Sequence, residues 1–180
     1  MKGVVFNLLE ETIQQAYGEK TWDDLLEATQ LDGAYTSLGT YPDDDLVKLV
    51  TAASRALQTP PDTIIRWFGR NALPLLSKNY PEFFTPHKSA HSFLLTLNSV
   101  IHPEVRKLYP GADVPVFDYD LSSEEALVIG YVSARKLCAL AEGLIEGAAD
   151  YYGEEVAVEH LKCVHRGDEK CALRVGFKKK

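Results

Sequence analysis

No stretch of this 180-residue chain is apolar for long enough to span a bilayer. A secretory leader is missing too, since the opening has one lysine and turns acidic by Glu10. Basic residues number 19 against 26 acidic ones, and the net charge of −7 argues against a general nucleic-acid binder. The one basic run, Lys178-Lys179-Lys180, is short and reads as a solvated tail. Internal repeats and low-complexity linkers are absent, and so are recognisable kinase, cyclase or helix-turn-helix segments. These absences lead us to expect a cytoplasmic protein, where structural disulfides are rare. The three cysteines then need a role other than cross-linking.

Hydrophobic residues make up 46% of the chain and aromatics 10%, enough for one globular domain over residues 1–180. The first two-thirds read as helices. Val5, Leu9, Ile13 and Ala16 form an apolar stripe at helical spacing. Thr21 is placed to cap a second helix. Asp43-Asp44-Asp45 opens a third with negative charge at its positive end. Pro60-Pro61-Asp62 starts a fourth, which Pro74 is expected to kink or end. A fifth runs from about Ser89 to Ile101. The last third changes period, with a short extended piece from Val114 to Phe117 and a strand from Ala126 to Val132. A helix carrying Leu137, Leu140, Ala141, Leu144 and Ala148 follows. Val156 to Cys163 and Cys171 to Phe177 then form a hairpin turning near Arg166-Gly167-Asp168. The expected class is α+β, with a helical N-terminal lobe (about residues 1–60) packed on a C-terminal lobe with an antiparallel sheet and helices (about 61–180).

Three constellations carry chemistry. Tyr131-x-Ser133-x-Arg135 follows the strand, whose alternation puts a phenol, a hydroxyl and a guanidinium on one side. That set suits carboxylates or phosphate, or is a strand end whose polar tip meets water. His102 closes an apolar run and precedes Pro103, so a helix break is expected there. A neutral imidazole against an apolar wall suits an axial ligand of haem iron, or is a core histidine bonded to a carbonyl. Cys138, His160, Cys163 and Cys171 offer three thiolates and an imidazole, a closed zinc set with a structural role; His165 competes as fourth ligand. A bulge or turn must rotate His160 or Cys163 for both to reach one ion. The bland alternative is three buried free thiols.

Together these residues resemble the haem–nitric oxide/oxygen binding (H-NOX) family, over essentially the whole chain. The opening Met1-Lys2-Gly3-Val4-Val5-Phe6-Asn7 is similar to the family's start. His102 falls at its proximal iron ligand, Pro115 at a proline that distorts the macrocycle, and Tyr131-x-Ser133-x-Arg135 at its propionate-binding motif. Leu140-x-x-Gly143-Leu144-Ile145-Glu146-Gly147 is also family-like. The cysteine–histidine set resembles a structural zinc site of one bacterial subgroup. The resemblance implies haem b between the two lobes and no enzymatic turnover. Its apolar walls would include Val5, Leu9, Leu73, Leu76, Leu140 and Leu144. Oxygen-binding members carry a tyrosine where this chain has Leu140, and Ala72, Leu73, Leu76, Val5 and Leu9 offer no donor in its place. The resemblance therefore implies a nitric oxide sensor that acts by releasing its proximal histidine on a partner, a histidine kinase or a cyclic-di-GMP enzyme. The rival readings are an oxygen or carbon monoxide sensor, a haem-free small-molecule module like the V4R domains, and an enzyme with a Cys138 or Cys163 nucleophile and a His160 or His165 base.

Overall fold

Helix ends in the first half fall where backbone chemistry puts them. The computed structural model describes residues 1–122 and 126–179. Helix α1 (Gly3–Tyr17) stops at Gly18, whose φ of 89° favours glycine. Helix α2 (Glu19–Thr29) begins two residues before Thr21, whose hydroxyl donates to the Tyr17 carbonyl and caps nothing. Helix α3 (Asp43–Leu57) opens on its three aspartates, and α4 (Pro61–Asn79) on its proline pair. Pro74 does not end α4, which runs on to Asn79. Proline cannot donate to the Arg70 carbonyl four residues back. That carbonyl lies against Gly147 of the helix α7 (Cys138–Tyr151).

The expected fifth helix is three pieces. Helix α5 (Ala90–Leu94) is capped by Ser89 through Ser92 N–H; a π-turn follows (Leu97–Ile101), then α6 (His102–Leu108). The irregularity therefore precedes His102, which is itself helical at φ −65° and ψ −36°. The wide π-turn takes the His102 N–H to the Leu97 carbonyl, and Pro103 sits in the first turn of α6, where no amide is needed.

Strands β1 (Val116–Asp120), β2 (Ala126–Val132), β3 (Glu154–Lys162) and β4 (Cys171–Lys179) form one antiparallel sheet in the order β1-β2-β4-β3. Lys178 and Lys179 belong to β4, in backbone register with Glu155 and Glu154 of β3, and Lys178 is exposed, while Lys180 lies outside the described residues. Alternation buries Leu127, Ile129, Tyr131, Leu173 and Val175 against the helices. Two apolar cores result. One joins α1–α4 through Phe6, Trp22, Leu46, Leu49 and Phe68; the other joins the sheet, α5 and α7. Helices α4 and α7 cross at Gly69, Gly143 and Gly147, where the backbones touch. The class is α+β. No helix of the described residues is long and apolar enough to cross a membrane.

Candidate functional site: a cavity between two cores

The two cores do not close on each other completely. Between them lies a cavity of about 370 Å³ with an almost wholly apolar lining. Val5 and Leu8 of α1, Leu73 and Leu76 of α4, and Leu140 and Leu144 of α7 face it. His102, Val105 and Leu108 of α6 face it too, as does Pro115. Leu9 is not on this wall; it is buried inside the first core, and its neighbour Leu8 takes its place. One step around a helix turns a side chain by about 100°, so Leu9 and Ile13 pack into the first core while Val5 and Leu8 face the cavity.

His102 brings an imidazole to this otherwise mostly apolar wall. Its Nδ1 is buried without a hydrogen-bond partner among the described residues. Its ring stacks on Phe117, centroids 5.5 Å apart. Burial, aided by the Arg106 charge, pulls its pKa down to about 4 against a weaker opposing pull from the Pro115 carbonyl. The imidazole is thus neutral at neutral pH and keeps a lone pair for a metal. A neutral core histidine normally bonds its nitrogens, so the orphaned Nδ1 speaks for a missing partner.

Tyr131, Ser133 and Arg135 all border the same cavity, though not by strand alternation. β2 ends at Val132, and Ser133 and Arg135 lie in the turn that follows. Ser133 Oγ accepts from the Arg135 N–H at 3.2 Å, and Lys136 takes a positive φ of 54°. The Arg135 side chain is only 18% exposed and already holds two carboxylates. Its Nε reaches Asp43 Oδ1 at 2.9 Å, and its Nη1 reaches Asp113 Oδ2 at 3.0 Å and the Asp113 carbonyl at 2.6 Å. Asp43 and Asp113 were not visible as its partners in sequence, because they lie 92 and 22 residues away. Two further phenols line the cavity, Tyr80 at the end of α4 and Tyr109 at the end of α6. Their hydroxyls hydrogen-bond to each other. Each continues the cavity-facing spacing of its helix (Leu73, Leu76, Tyr80; His102, Val105, Tyr109), a signal the sequence did carry.

The cysteines gather apart from this cavity. The Sγ atoms of Cys138, Cys163 and Cys171 lie within 4.8 Å of one another, all three residues buried. His160 is not with them: its Nε2 is 3.0 Å from Glu142 Oε2. Glu142 is 8% exposed and needs polar partners, which it finds in His160 Nε2 and in the Arg66 guanidinium, whose Nη1 is 2.9 Å away. The expected irregularity is present, as a register shift between His160 and Lys162, and it brings Cys163 alone to the cluster. His165 bonds the Lys136 carbonyl through Nε2 at 2.8 Å. Burial pushes the Cys138 and Cys171 thiols up in pKa, and for Cys138 the neighbouring thiols add to the rise. A divalent cation removes this penalty by taking thiolates as ligands, so the three donors fit a thiophilic ion such as zinc.

An apolar cavity between two cores, with an imidazole whose buried Nδ1 has no partner among the described residues and a guanidinium at its rim, fits a domain that encloses one large prosthetic group. The Haem-NO-binding family model matches residues 2–160, and the chain belongs to that family. No curated protein sequence matches it significantly. Among solved structures it resembles an H-NOX protein from S. oneidensis in the Fe(II)NO ligation state, with 29% identity and a TM-score of 0.93 over 99% of this chain and 100% of that one. The H-NOX domain of Shewanella oneidensis in the Fe(II)CO state gives 29% identity and a TM-score of 0.90, covering 100% of both chains. A point mutant of T. tengcongensis H-NOX gives 25% and 0.86, covering 99% of this chain and 98% of that one. The fold is thus the H-NOX fold, and the chain is a haem-gas binding domain.

Proposed function

We propose that the chain is a nitric oxide sensor that holds ferrous haem b through His102 and signals by letting His102 go. The observation that carries this is the pairing of an imidazole whose buried Nδ1 has no partner among the described residues with a stretch of cavity wall, Val5, Leu73, Leu76, Leu140 and Leu144, that offers no side-chain donor. When bound, haem supplies a ferrous centre that takes diatomic gases. Tyr131, Ser133 and Arg135 present two hydroxyls and a guanidinium that suit propionates. Pro115 stands on the His102 side and would press on the macrocycle. Val5, Leu73, Leu76, Leu140 and Leu144 exclude water and offer no hydrogen bond. With haem held there, this wall would give oxygen no hydrogen bond to stabilise it, a bond that nitric oxide would not need. Once released, His102 no longer anchors α6 and the π-turn before it, and the surface that a partner signalling protein reads can change. A ligand biases such a two-state element only through unequal affinity for its states. Here the inequality lies in the bond to His102. The thiols of Cys138, Cys163 and Cys171 hold zinc in a structural role, joining α7 to the ends of β3 and β4.

The decisive experiment is an anaerobic absorption spectrum of the reduced, haem-loaded protein, before and after nitric oxide and then in air. The expected result is one ferrous Soret band that moves far to the blue with nitric oxide and is unmoved by air. A stable oxy spectrum would overturn the nitric oxide preference. Absence of a Soret band after reconstitution would discard haem sensing altogether.

A further inference from the structure

Asn98 is an exposed residue of the π-turn, four positions before His102, and it makes two hydrogen bonds to one residue of β1. Its Nδ2 donates to the Phe117 carbonyl at 2.5 Å, and its Oδ1 accepts from the Phe117 N–H at 3.2 Å. A carboxamide carries donor and acceptor side by side, as a peptide group does, so it docks on a strand edge as a further strand would. The pairing also fixes the amide's orientation, because a carbonyl only accepts and a backbone N–H only donates. β1 is an edge strand, and Phe117 is opposite Tyr131 on its other side. The Phe117 ring then stacks on His102. A closed circuit results, running from Asn98 to the Phe117 backbone, through its ring to His102, and back along the π-turn. Further along β1, Tyr119 Oη donates to the Leu94 carbonyl at 2.7 Å. The segment from α5 to His102 is thus tied to β1 at two points, across the stretch where helical bonding is least regular. A π-turn inserted in a helix is costly and needs outside support.

We propose that Asn98 is a positioning residue for His102: its carboxamide pins the π-turn to β1 and so sets how firmly the imidazole is held in the cavity. The importance of that hold for signalling rests on the nitric oxide reading above, but the pin itself does not. Asn98→Ala removes both bonds. Asn98→Asp keeps an acceptor for the Phe117 N–H but sets a carboxylate oxygen against the Phe117 carbonyl, two acceptors that repel, so it breaks the clamp as the alanine variant does.

Amide hydrogen exchange at Phe117 and His102 tests the pin in haem-free and haem-loaded protein alike. Asn98→Ala should speed exchange at both amides by about fivefold or more, the least expected from losing two hydrogen bonds. In the loaded ferrous protein the same variant should shift the Soret response so that less nitric oxide completes the blue shift. Unchanged exchange at Phe117 overturns the proposal. Faster exchange at Phe117 alone, with His102 and the Soret response as in wild type, overturns it as well, because the clamp would then serve only β1. A wild type that takes no haem sinks the sensor reading by itself; exchange at Phe117 and His102 together still decides the pin.

Discussion

At the scale of single residues, burial decides what each polar group can do. His102 and Arg135 are both polar and mostly enclosed, yet their situations are opposite. The guanidinium has two carboxylates, while the imidazole has a nitrogen with none. Leu140 lines the cavity, and on the proposed nitric oxide reading it is where a donor would have to stand to favour oxygen. Leu140→Tyr should therefore raise the haem-loaded protein's affinity for oxygen, seen as an oxy spectrum in air that the wild type lacks. An unchanged air spectrum would show that a donor at this position does not reach the ligand. The thiols make a separate prediction. Elemental analysis of purified protein should find one zinc per chain, and Cys163→Ser should lose it. Metal-free wild-type protein would return Cys138, Cys163 and Cys171 to three buried thiols.

At the scale of elements, the crossing of α4 and α7 holds the two cores in register. A Cβ on Gly143 would stand 2.0 Å from the Arg66 carbonyl oxygen, which is backbone and cannot swing aside. Gly143→Ala should cost about 2 kcal/mol and lower Tm by roughly 4–8 °C, measured by thermal unfolding. The same crossing carries an ionic seam: Arg66 forks onto Glu146 and reaches Glu142, and Arg70 Nε is 2.7 Å from Asp150 Oδ2. Much of this was legible as pattern. The α7 stripe and the strand from Ala126 to Val132 follow from period alone. The π-turn was not legible, because nothing in Leu97–Ile101 distinguishes a wide turn from an ordinary one until Asn98 finds a strand to pair with. Ser133 and Arg135 were assigned to the right place for the wrong reason. They share a side with Tyr131 because the chain turns after Val132, and strand alternation does not extend that far.

For the whole molecule, Asp43 ties the start of α3 to the turn after β2 and so links the two lobes. Burial alone would raise its pKa, but hydrogen bonds from the Met1 ammonium and from Arg135 outweigh it and hold the carboxyl below its usual 3.8. The stabilisation is complete above the ordinary carboxylate range and is lost as pH falls through the depressed value. The stability gap between wild type and Asp43→Asn, measured by urea unfolding, should thus be constant from neutral pH to about 5 and shrink below 3.8. A gap that persists unchanged into strong acid would mean that this ion pair contributes nothing between the lobes. The sequence by itself determined the class of fold, with its helical first half and sheet-bearing second half, and it singled out His102, Arg135 and the cysteines as candidate groups with chemistry. Those follow from local periodicity and from residue types that have few other uses. Only the tertiary structure decided that Leu8 faces the cavity in place of Leu9, that Glu142 claims His160 away from the thiols, and that Asn98 and Phe117 back the imidazole. Each depends on which elements pack together: Leu8 on the cavity left between the two cores, His160 on the buried Glu142 carboxylate, and Asn98 on the free edge of β1.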